Sequence, residues 1–327
     1  MDVGIGLFIF AMGSVSRRPC RAADLNKLCK LATPILLLGL ARTIVIEYID
    51  YHQDVHEYGK HLNAFFTLGV TKLIGTFVSA VATTDLQLVP IGLGILAAHE
   101  SVLQLGVSDF VMDKKIKRSN FINANREGIC SLPGFIAIYL ISMYIGQMLQ
   151  THVALSYNEF MQKLKTLAQM SAALWILVLL SIFSVGIARV TCNFGYATWI
   201  LAIAVTITTF YMFIFDLVLN TMWPVTDAYT KQIQRKDVQE EGVKLLQEPG
   251  ERGVNNCVAC WLPSLVEAVN RNGLTFFVLA NVLTGAVNIF LKPGNRSDLE
   301  SVVILCGYML IATGFVYILF RSKIRIA

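Results

Sequence analysis

Residues 31–82 read LATPILLLGLARTIVI EYIDYHQDVHEYGKHLN AFFTLGVTKLIGTFVSAVA, which is two apolar segments joined by a polar connection. The apolar segments cover residues 31–46 and 64–82. Each approaches the length of ~20 residues that a helix needs to cross the hydrocarbon core of a bilayer. Similar apolar runs recur along the whole chain of 327 residues. This stretch therefore predicts membrane-spanning helices with polar chemistry between them.

The composition agrees with a membrane protein. Hydrophobic residues make up 55% of the chain and charged residues only 15%, whereas a soluble domain has roughly 25% charged residues. The net charge of +5 is spread over short loops and lacks the basic patch with interleaved aromatics that nucleic-acid sites need. We predict an all-α fold, a polytopic integral membrane helical bundle that binds no nucleic acid.

We predict about nine spans in a single multi-pass membrane domain, residues 1–327. The fourth contains Pro90, Gly92 and Gly94, and such residues interrupt helices, so it is predicted to be broken or re-entrant. A polar loop covers residues 221–273. The predicted spans lie at about residues 3–16, 31–48, 64–82, 88–106, 130–150, 167–190, 196–220, 274–291 and 301–320.

Basic residues predict the orientation of these spans. The Lys/Arg-rich loop at residues 16–30 is expected in the cytosol, which places residues 49–62 on the lumenal side. By the same count the loop at residues 113–126 is lumenal, although it carries five Lys/Arg residues. Either the fourth segment does not span, or these charges face an anionic ligand such as the phosphate of a lipid.

The polar connection at residues 47–63 holds three of the five histidines of the chain. If it were one continuous helix, Asp50, Glu57 and His61 would share a face. Such a helix is polar all round, so it would line water or a cavity. A solvated loop and a site for general acid–base chemistry are both consistent with this spacing. No metal site is predicted, since the HEYGKH sequence places its two histidines five residues apart rather than four.

Charged and polar residues also occur inside predicted spans. Arg42 lies well within the second span, and such charges usually face a cavity or a partner. A transporter or lipid flippase would place charges in the same way. The segment 274–291 carries one polar stripe that is consistent with a helix–helix seam or with substrate contact; its members are Asn281, Thr284, Gly285 and Asn288.

Four stretches, in order and covering almost the whole chain, resemble motifs of the glycosylphosphatidylinositol (GPI) inositol-acyltransferase family. They are MDVGIGLFIF at residues 1–10, DYHQDVHEYGKHLNAFFTL at 50–68, ANREGICSLPGFIAIYL at 124–140 and RNGLTFFVLANVLTGAVNIFL at 271–291. A fifth family segment is retained only in part, as RVTCNFGYATW at residues 189–199. Members of that family place a fatty acyl chain on the inositol of a GPI precursor.

The resemblance implies a multi-pass endoplasmic reticulum membrane enzyme of GPI-anchor biosynthesis. Its donor substrate would be a long-chain acyl-CoA, and its acceptor would be glucosaminyl-phosphatidylinositol, a membrane lipid. No cofactor is expected beyond acyl-CoA as co-substrate. A transporter, a flippase or a non-catalytic membrane scaffold stays as the alternative, although neither a transporter nor a flippase would account for four ordered motifs.

The motif positions provide the candidate site residues. Acyl transfer from a thioester needs a base for the hydroxyl and donors for the oxyanion. We predict His61 as the base because histidine titrates near neutral pH, with Glu57 orienting it and Asn63 donating to the oxyanion or to a sugar hydroxyl. Predicted substrate contacts are Arg42, Asp50, Tyr58, Asn125, Arg126, Glu127, Asn281 and Asn288.

The front of the chain departs from the family pattern. Family members have further spans before the M-D-x-G motif, and a D-F-x-x-F-P-R-R-x-x-K segment with an acid and a base. We expect a fragment or a truncated gene model rather than a diverged short form, and such a chain can be inactive on its own. The acid and base of that upstream segment are the alternative catalytic pair, which would leave the polar connection at residues 47–63 to shape the cavity.

Overall fold

The computed structural model describes residues 3–19, 22–48, 55–150, 157–214, 264–291 and 296–324. These residues form helices and the turns between them, with no strand among them, so the predicted all-α class is confirmed. The chain divides into two compact units, Met1–Val243 and Lys244–Ala327. Each unit is described by itself.

The described part of the first unit contains ten α-helices. A 3₁₀ turn, Asp85–Gln87, precedes the fifth helix, and a π-helical turn, Leu103–Val107, follows it. The helices are α1 (Gly4–Ser14), α2 (Ala22–Tyr48), α3 (Val55–Tyr58), α4 (Ala64–Ser79), α5 (Leu88–Val102), α6 (Ser108–Met112), α7 (Phe121–Ala124), α8 (Arg126–Leu149), α9 (Tyr157–Ser184) and α10 (Phe194–Tyr211).

Helix α8 forms the centre of the first unit. It packs against α1, α4, α5 and α10, and 72% of its most apolar 18-residue window is buried inside the protein. Small residues allow the close packing: a Cβ atom on Gly146 would lie 1.8 Å from the backbone oxygen of Ser14 in α1. Backbone contact at small residues is the usual basis of helix packing in membranes. The first turn of this central helix carries Arg126 and Glu127 of the candidate site.

The described part of the second unit contains three helices, α11 (Ser264–Arg271), α12 (Gly273–Ala286) and α13 (Asp298–Arg321), with a π-helical turn, Val287–Leu291, after α12. Helices α11 and α12 both pack against α13. Only 11% of the apolar window of α13 is buried, as expected for a helix whose surface faces lipid. The predicted polar loop at residues 221–273 lies outside the described residues as far as residue 263.

The predicted count of about nine spans is not confirmed. Five helical segments of the described chain are long and apolar enough to cross a membrane, and the bent pair Ser264–Arg271 and Thr275–Leu291 would be a sixth. The predicted first and third spans are helices of only 11 and 16 residues, which reach about 16 and 24 Å at 1.5 Å per residue. The five segments are Asp85–Met112, Arg126–Leu149, Tyr157–Ser184, Phe194–Ile214 and Asp298–Arg321.

The fourth predicted span has one interruption, but α5 runs unbroken through Pro90, Gly92 and Gly94, the residues on which the prediction rested. The segment Asp85–Met112 qualifies as a span by length and composition. Its interruption lies at Gly106, which has a φ of 108° inside the π-helical turn. Only glycine adopts such a backbone without strain. The interruption thus comes after the apolar core of the segment and not at Pro90, Gly92 or Gly94.

Candidate functional site

The polar connection at residues 47–63 is not one helix. Helix α3 ends at Tyr58, and Gly59 follows with a φ of 99°, a left-handed conformation that commonly ends helices. Residues 59–63 then form a turn before α4 begins. The continuous helix considered from the sequence is therefore wrong, and the i,i+4 relation that would let Glu57 orient His61 does not exist. Asp50 lies outside the described residues.

The turn packs directly on the ANREG segment that precedes and begins α8. The Oδ1 atom of Asn125 accepts hydrogen bonds from the backbone N–H groups of His61 (2.8 Å) and Leu62 (3.2 Å). The N–H of Lys60 donates to the carbonyl of Ala124 at 2.9 Å. A Cβ atom on Gly59 would lie 2.5 Å from the Cα atom of Asn125. Two sequence motifs thus form one structural unit, named here the motif junction (residues 58–63 with 124–128).

Asn63 caps helix α4 and ties it to α2. Its Oδ1 atom accepts from the N–H groups of Phe65 (3.0 Å) and Phe66 (3.3 Å), which is the usual role of an N-cap asparagine. Its Nδ2 group donates to the carbonyl of Gly39 (2.8 Å) and to the Oγ1 atom of Thr43 (3.1 Å). Both amide protons are engaged and the side chain is buried. Donation from Asn63 to an oxyanion would require one of these bonds to break.

The imidazole of His61, unlike the side chain of Asn63, is held by packing rather than by hydrogen bonds. The ring is half-buried and stacks on Phe121, with centroids 6.3 Å apart and an interplanar angle of 8°. Its backbone is held at both ends, since its N–H donates to Asn125 and its carbonyl accepts from Thr43. Within the described part of the chain, neither imidazole nitrogen takes part in a hydrogen bond. The ring is therefore positioned by packing, and its nitrogens are free of hydrogen bonds to the described residues.

Glu57 and Tyr58 contact an arginine from the α9–α10 connection. The Nη2 atom of Arg189 lies 3.2 Å from the Oε1 atom of Glu57, and its Nη1 atom donates to the Tyr58 hydroxyl at 3.3 Å. The guanidinium also lies over the Tyr58 ring, 5.4 Å from the centroid. Burial raises the pKa of the Tyr58 phenol, against the opposing effect of Arg189. Burial lowers the pKa of Arg189, but the combined effect of Tyr58 and Glu57 is larger and raises it. The net pKa of Arg189 is therefore raised, and the guanidinium stays charged.

A second ionic cluster surrounds Glu127, whose side chain is 1% exposed. Arg118 forms a bidentate pair with this carboxylate, at 2.5 and 3.1 Å, and the Nδ1 atom of His56 lies 3.8 Å away. Bidentate Arg–carboxylate pairs are among the strongest polar contacts in proteins. The predicted substrate contact of Glu127 is thus a buried ion pair that anchors the basic loop to α8.

Arg126 is engaged with backbone rather than with a ligand. Its guanidinium donates to the carbonyls of Val111 (3.0 Å), Asp113 (2.6 Å) and Ile116 (3.4 Å), and the side chain is buried. Together with Asn125, which is also buried, the ANRE residues hold neighbouring segments in place. Of the five basic residues at 113–126, only Lys114, Lys115 and Lys117 are exposed.

The other predicted contacts are exposed. Arg42 lies on α2 with its side chain exposed, close enough to Tyr58 to lower the pKa of that phenol. Asn281 and Asn288 are exposed residues of the second unit, and the Nδ2 atom of Asn281 donates to the carbonyl of Phe277 in its own helix. Among the described residues no group of three or more His, Cys, Asp or Glu side chains could hold a metal ion.

A family model described as GWT1 matches residues 1–319. The chain belongs to the GWT1 family. The resemblance carried by the four sequence motifs is thereby confirmed.

Relatives in the GWT1 family are longer than this chain. It is 30% identical over 331 residues to GPI-anchored wall transfer protein 1 of Schizosaccharomyces pombe, covering 99% of this chain and 64% of that protein. It is 26% identical over 350 residues to the protein of the same name from Aspergillus fumigatus, covering 100% and 65%. Phosphatidylinositol-glycan biosynthesis class W protein of Dictyostelium discoideum is 28% identical over 300 residues, covering 91% and 52%.

Two site residues of this GWT1-family chain were not predicted from its sequence. Arg118 pairs with Glu127, and Arg189 pairs with Glu57 and Tyr58. A signal existed for Arg189, because it is one of the residues retained in the partly matching segment RVTCNFGYATW. Arg118 had only the general signal of a charged loop that violates the orientation rule.

Proposed function

We propose that this chain takes part in GPI-anchor biosynthesis as an inositol acyltransferase of the endoplasmic reticulum membrane. The observation that supports this most is the GWT1 family match across residues 1–319. Two relatives carry names that refer to GPI-anchored proteins and to phosphatidylinositol-glycan biosynthesis. The chain spans 64% and 52% of those relatives, so the activity of a whole family member is part of the proposal.

The proposed reaction transfers a long-chain acyl group from acyl-CoA to the inositol ring of glucosaminyl-phosphatidylinositol. A base takes the proton from the inositol hydroxyl as its oxygen attacks the thioester carbonyl. The tetrahedral intermediate then collapses, the C–S bond breaks, and the CoA thiolate leaves with the proton returned by the same base. Such proton transfer contributes roughly 10²–10⁴-fold to rate.

His61 is the base in this proposal. Its support is geometric: packing on Phe121 and backbone hydrogen bonds fix the ring, while its nitrogens make no hydrogen bond in the described part of the chain. Arg42, exposed on α2 and near Tyr58, would attract the phosphodiester of the acceptor, since guanidinium groups form strong charge-assisted bonds with phosphate. The exposed Lys114, Lys115 and Lys117 could add to that attraction.

The proposed function is tested by complementation of cells that lack inositol acylation. This chain is expressed alone and joined to the part of the fission yeast relative that it does not cover, and acylated glucosaminyl-phosphatidylinositol is measured by mass spectrometry of extracted lipids. We expect acylated product from at least the joined form. Normal membrane expression of both forms without any product would contradict the proposal.

The role of His61 is tested with two substitutions in the form that is active. His61→Ala removes the ring, and His61→Phe keeps an aromatic ring stacked on Phe121 but removes the nitrogens. Both should reduce inositol acylation by at least about tenfold. This threshold lies below the roughly 10²–10⁴-fold that a positioned acid–base group contributes. If His61→Phe retains full turnover, the ring serves only to pack the site, and the base lies elsewhere.

A further inference from the structure

The connection between α9 and α10, residues 185–193, has a fixed shape. Gly186 turns the chain with a φ of 70°. Asn193 closes the connection on itself: its Oδ1 atom accepts from the N–H groups of Ala188 and Tyr196, each at 3.0 Å, and its Nδ2 group donates to the carbonyl of Gly186 at 3.0 Å. The connection is therefore a cross-linked loop that presents Arg189 from a defined backbone.

Helix α5 also anchors the connection between α9 and α10, through two side chains. The Nε2 atom of the buried His99 donates to the carbonyl of Thr191 at 2.8 Å. The neighbouring carboxylate, Glu100, accepts from the N–H of Phe194 at 2.8 Å, at the start of α10. Ionisable groups in membrane helices are costly and usually have a defined partner. These two hold the loop that carries Arg189 against the span that contains them.

Arg189 in turn holds two side chains of α3. Its guanidinium is 12% exposed and contacts the Oε1 atom of Glu57 and the hydroxyl oxygen of Tyr58. Arginine suits this role because its planar fork of donors is rigid. The side chain of Glu57 is 35% exposed. Its carboxylate is therefore accessible to a ligand, while the ion pair with Arg189 fixes its Oε1 atom.

The hydrogen bonds left over define what could bind. Arg189 donates to the Tyr58 oxygen, and within the described residues the phenolic hydrogen has no acceptor and stays available as a donor. The Oε2 atom of Glu57 stays available as an acceptor, since it makes no hydrogen bond within the described structure and the closest approach of Arg189 is to Oε1. A donor and an anionic acceptor on adjacent residues match two neighbouring hydroxyl groups, because each hydroxyl can both donate and accept.

We propose that Glu57 and Tyr58, positioned by Arg189, bind neighbouring hydroxyl groups on the polyol ring of the acceptor lipid. Glu57 accepts from one ring hydroxyl and Tyr58 donates to the next. This assignment rests on the proposed function for the identity of the acceptor and gives Glu57 a substrate-binding role. Arg189 is a positioning residue, because it acts through the two side chains it holds.

The test measures binding of a soluble head group to the purified chain in detergent by isothermal titration calorimetry. The first probe is glucosaminyl-inositol 1-phosphate. The second is cyclohexyl phosphate, which keeps a six-membered ring and a phosphate but lacks the ring hydroxyls. The variants are Glu57→Gln, Tyr58→Phe, Arg189→Gln, Arg189→Lys and the double variant Tyr58→Phe/Arg189→Gln. Arg296→Gln is the matched control, since Arg296 forms an exposed ion pair with Glu300.

We expect each single variant at Glu57, Tyr58 and Arg189 to weaken binding of glucosaminyl-inositol 1-phosphate by roughly 5- to 20-fold, the range for one lost hydrogen bond to a neutral or charged group. Arg189→Lys should not restore affinity, because an ammonium cannot hold both side chains. The double variant should bind no more weakly than its weaker single parent. Cyclohexyl phosphate should bind all variants alike, and Arg296→Gln should match the unchanged chain.

Two results would overturn this inference. One is unchanged affinity in Glu57→Gln and Tyr58→Phe, which keep Arg189 and so test the site even if the Arg189 variants fail to fold. The other is an equal loss of affinity for cyclohexyl phosphate, which would indicate general damage or phosphate binding. Acyl transfer is measured separately. If the protein acylates inositol but head-group binding does not depend on Glu57 and Tyr58, the polyol site alone is refuted. If binding depends on these residues but no inositol is acylated, the proposed function alone is refuted.

Discussion

The motif junction of the first unit and the polar stripe of the second unit both match family motifs, yet their polar groups behave in opposite ways. In the junction, Asn125 is buried and joins its own segment to the turn at His61 and Leu62. In the stripe, Asn281 and Thr284 are exposed and, among the described residues, each donates to a carbonyl of its own helix. Buried polar networks specify one local structure. Similar motif matches can therefore report scaffold in one place and an open polar surface in another.

We expect the largest contrast in stability between the two units when an ion pair is removed from each. Glu127→Ala removes the buried carboxylate that pairs with Arg118 and lies 3.7 Å from the buried Arg126. Breaking such a buried pair costs about 3–5 kcal/mol. The thermal unfolding midpoint in detergent, followed by tryptophan fluorescence, should fall by many degrees. Glu300→Ala removes an exposed carboxylate from the second unit and should leave the midpoint nearly unchanged. Equal shifts would show that the buried pair contributes no more than a surface pair.

Glycine substitutions give the next contrast. Gly59→Ala places a Cβ atom 2.5 Å from the Cα atom of Asn125 at a φ of 99°, so we expect a loss of about 2–4 kcal/mol from backbone strain and overpacking. Gly285→Ala meets nothing within 4 Å in α12 and should be neutral or stabilise the helix by up to ~1 kcal/mol. Thermal unfolding of both variants measures the contrast, which disappears if Gly59→Ala is tolerated.

Asparagine substitutions give a smaller contrast in stability between the two units. Asn125→Ala leaves the N–H groups of His61 and Leu62 without their acceptor, and an unsatisfied buried group costs about 1–3 kcal/mol. Asn281→Ala removes a bond within one exposed turn and should change stability by less than about 0.5 kcal/mol. Hydrogen exchange of the turn at residues 59–63 should accelerate only in Asn125→Ala. Unchanged exchange there would mean that the asparagine does not hold the turn.

The smallest effect concerns pH. Burial raises the pKa of Tyr58, so between the unfolded value of about 10 and the raised folded value the folded state binds more protons than the unfolded state. The contribution of Tyr58 is therefore fully present below about pH 10 and is lost as pH rises through the folded pKa. Tyr58→Phe lacks this titration, so its unfolding midpoint should fall less steeply above pH 10 than that of the unchanged chain. Parallel curves would contradict the raised pKa.

Apolar runs and motifs were enough to predict the helical fold and the family, because span length and composition are local properties of the sequence. Each predicted span overlaps a helix of the described chain, but the count of about nine is not confirmed, in part because Gly4–Ser14 and Ala64–Ser79 are short. The end of α3 could have been predicted from Gly59, since glycine often follows the last residue of a helix. The one-helix interpretation omitted that signal.

Partners distant in the sequence could not be predicted. Tyr58 and Arg189 are 131 residues apart, and no local spacing indicates that they meet. Nor could the sequence distinguish Asn63, whose side chain caps α4 and donates to α2, from His61, whose nitrogens face no described partner. Residue type suggested chemistry for both, and only the three-dimensional hydrogen-bond pattern separates them.

The contacts of Arg126 have a consequence for biogenesis. Three carbonyls of the preceding segment, at Val111, Asp113 and Ile116, accept their hydrogen bonds from a side chain that is synthesised after them. The loop between two neighbouring spans therefore cannot take its final shape during translation until the first turn of the following span has emerged from the ribosome. The final shape of this loop thus depends on the residue that begins the next helix.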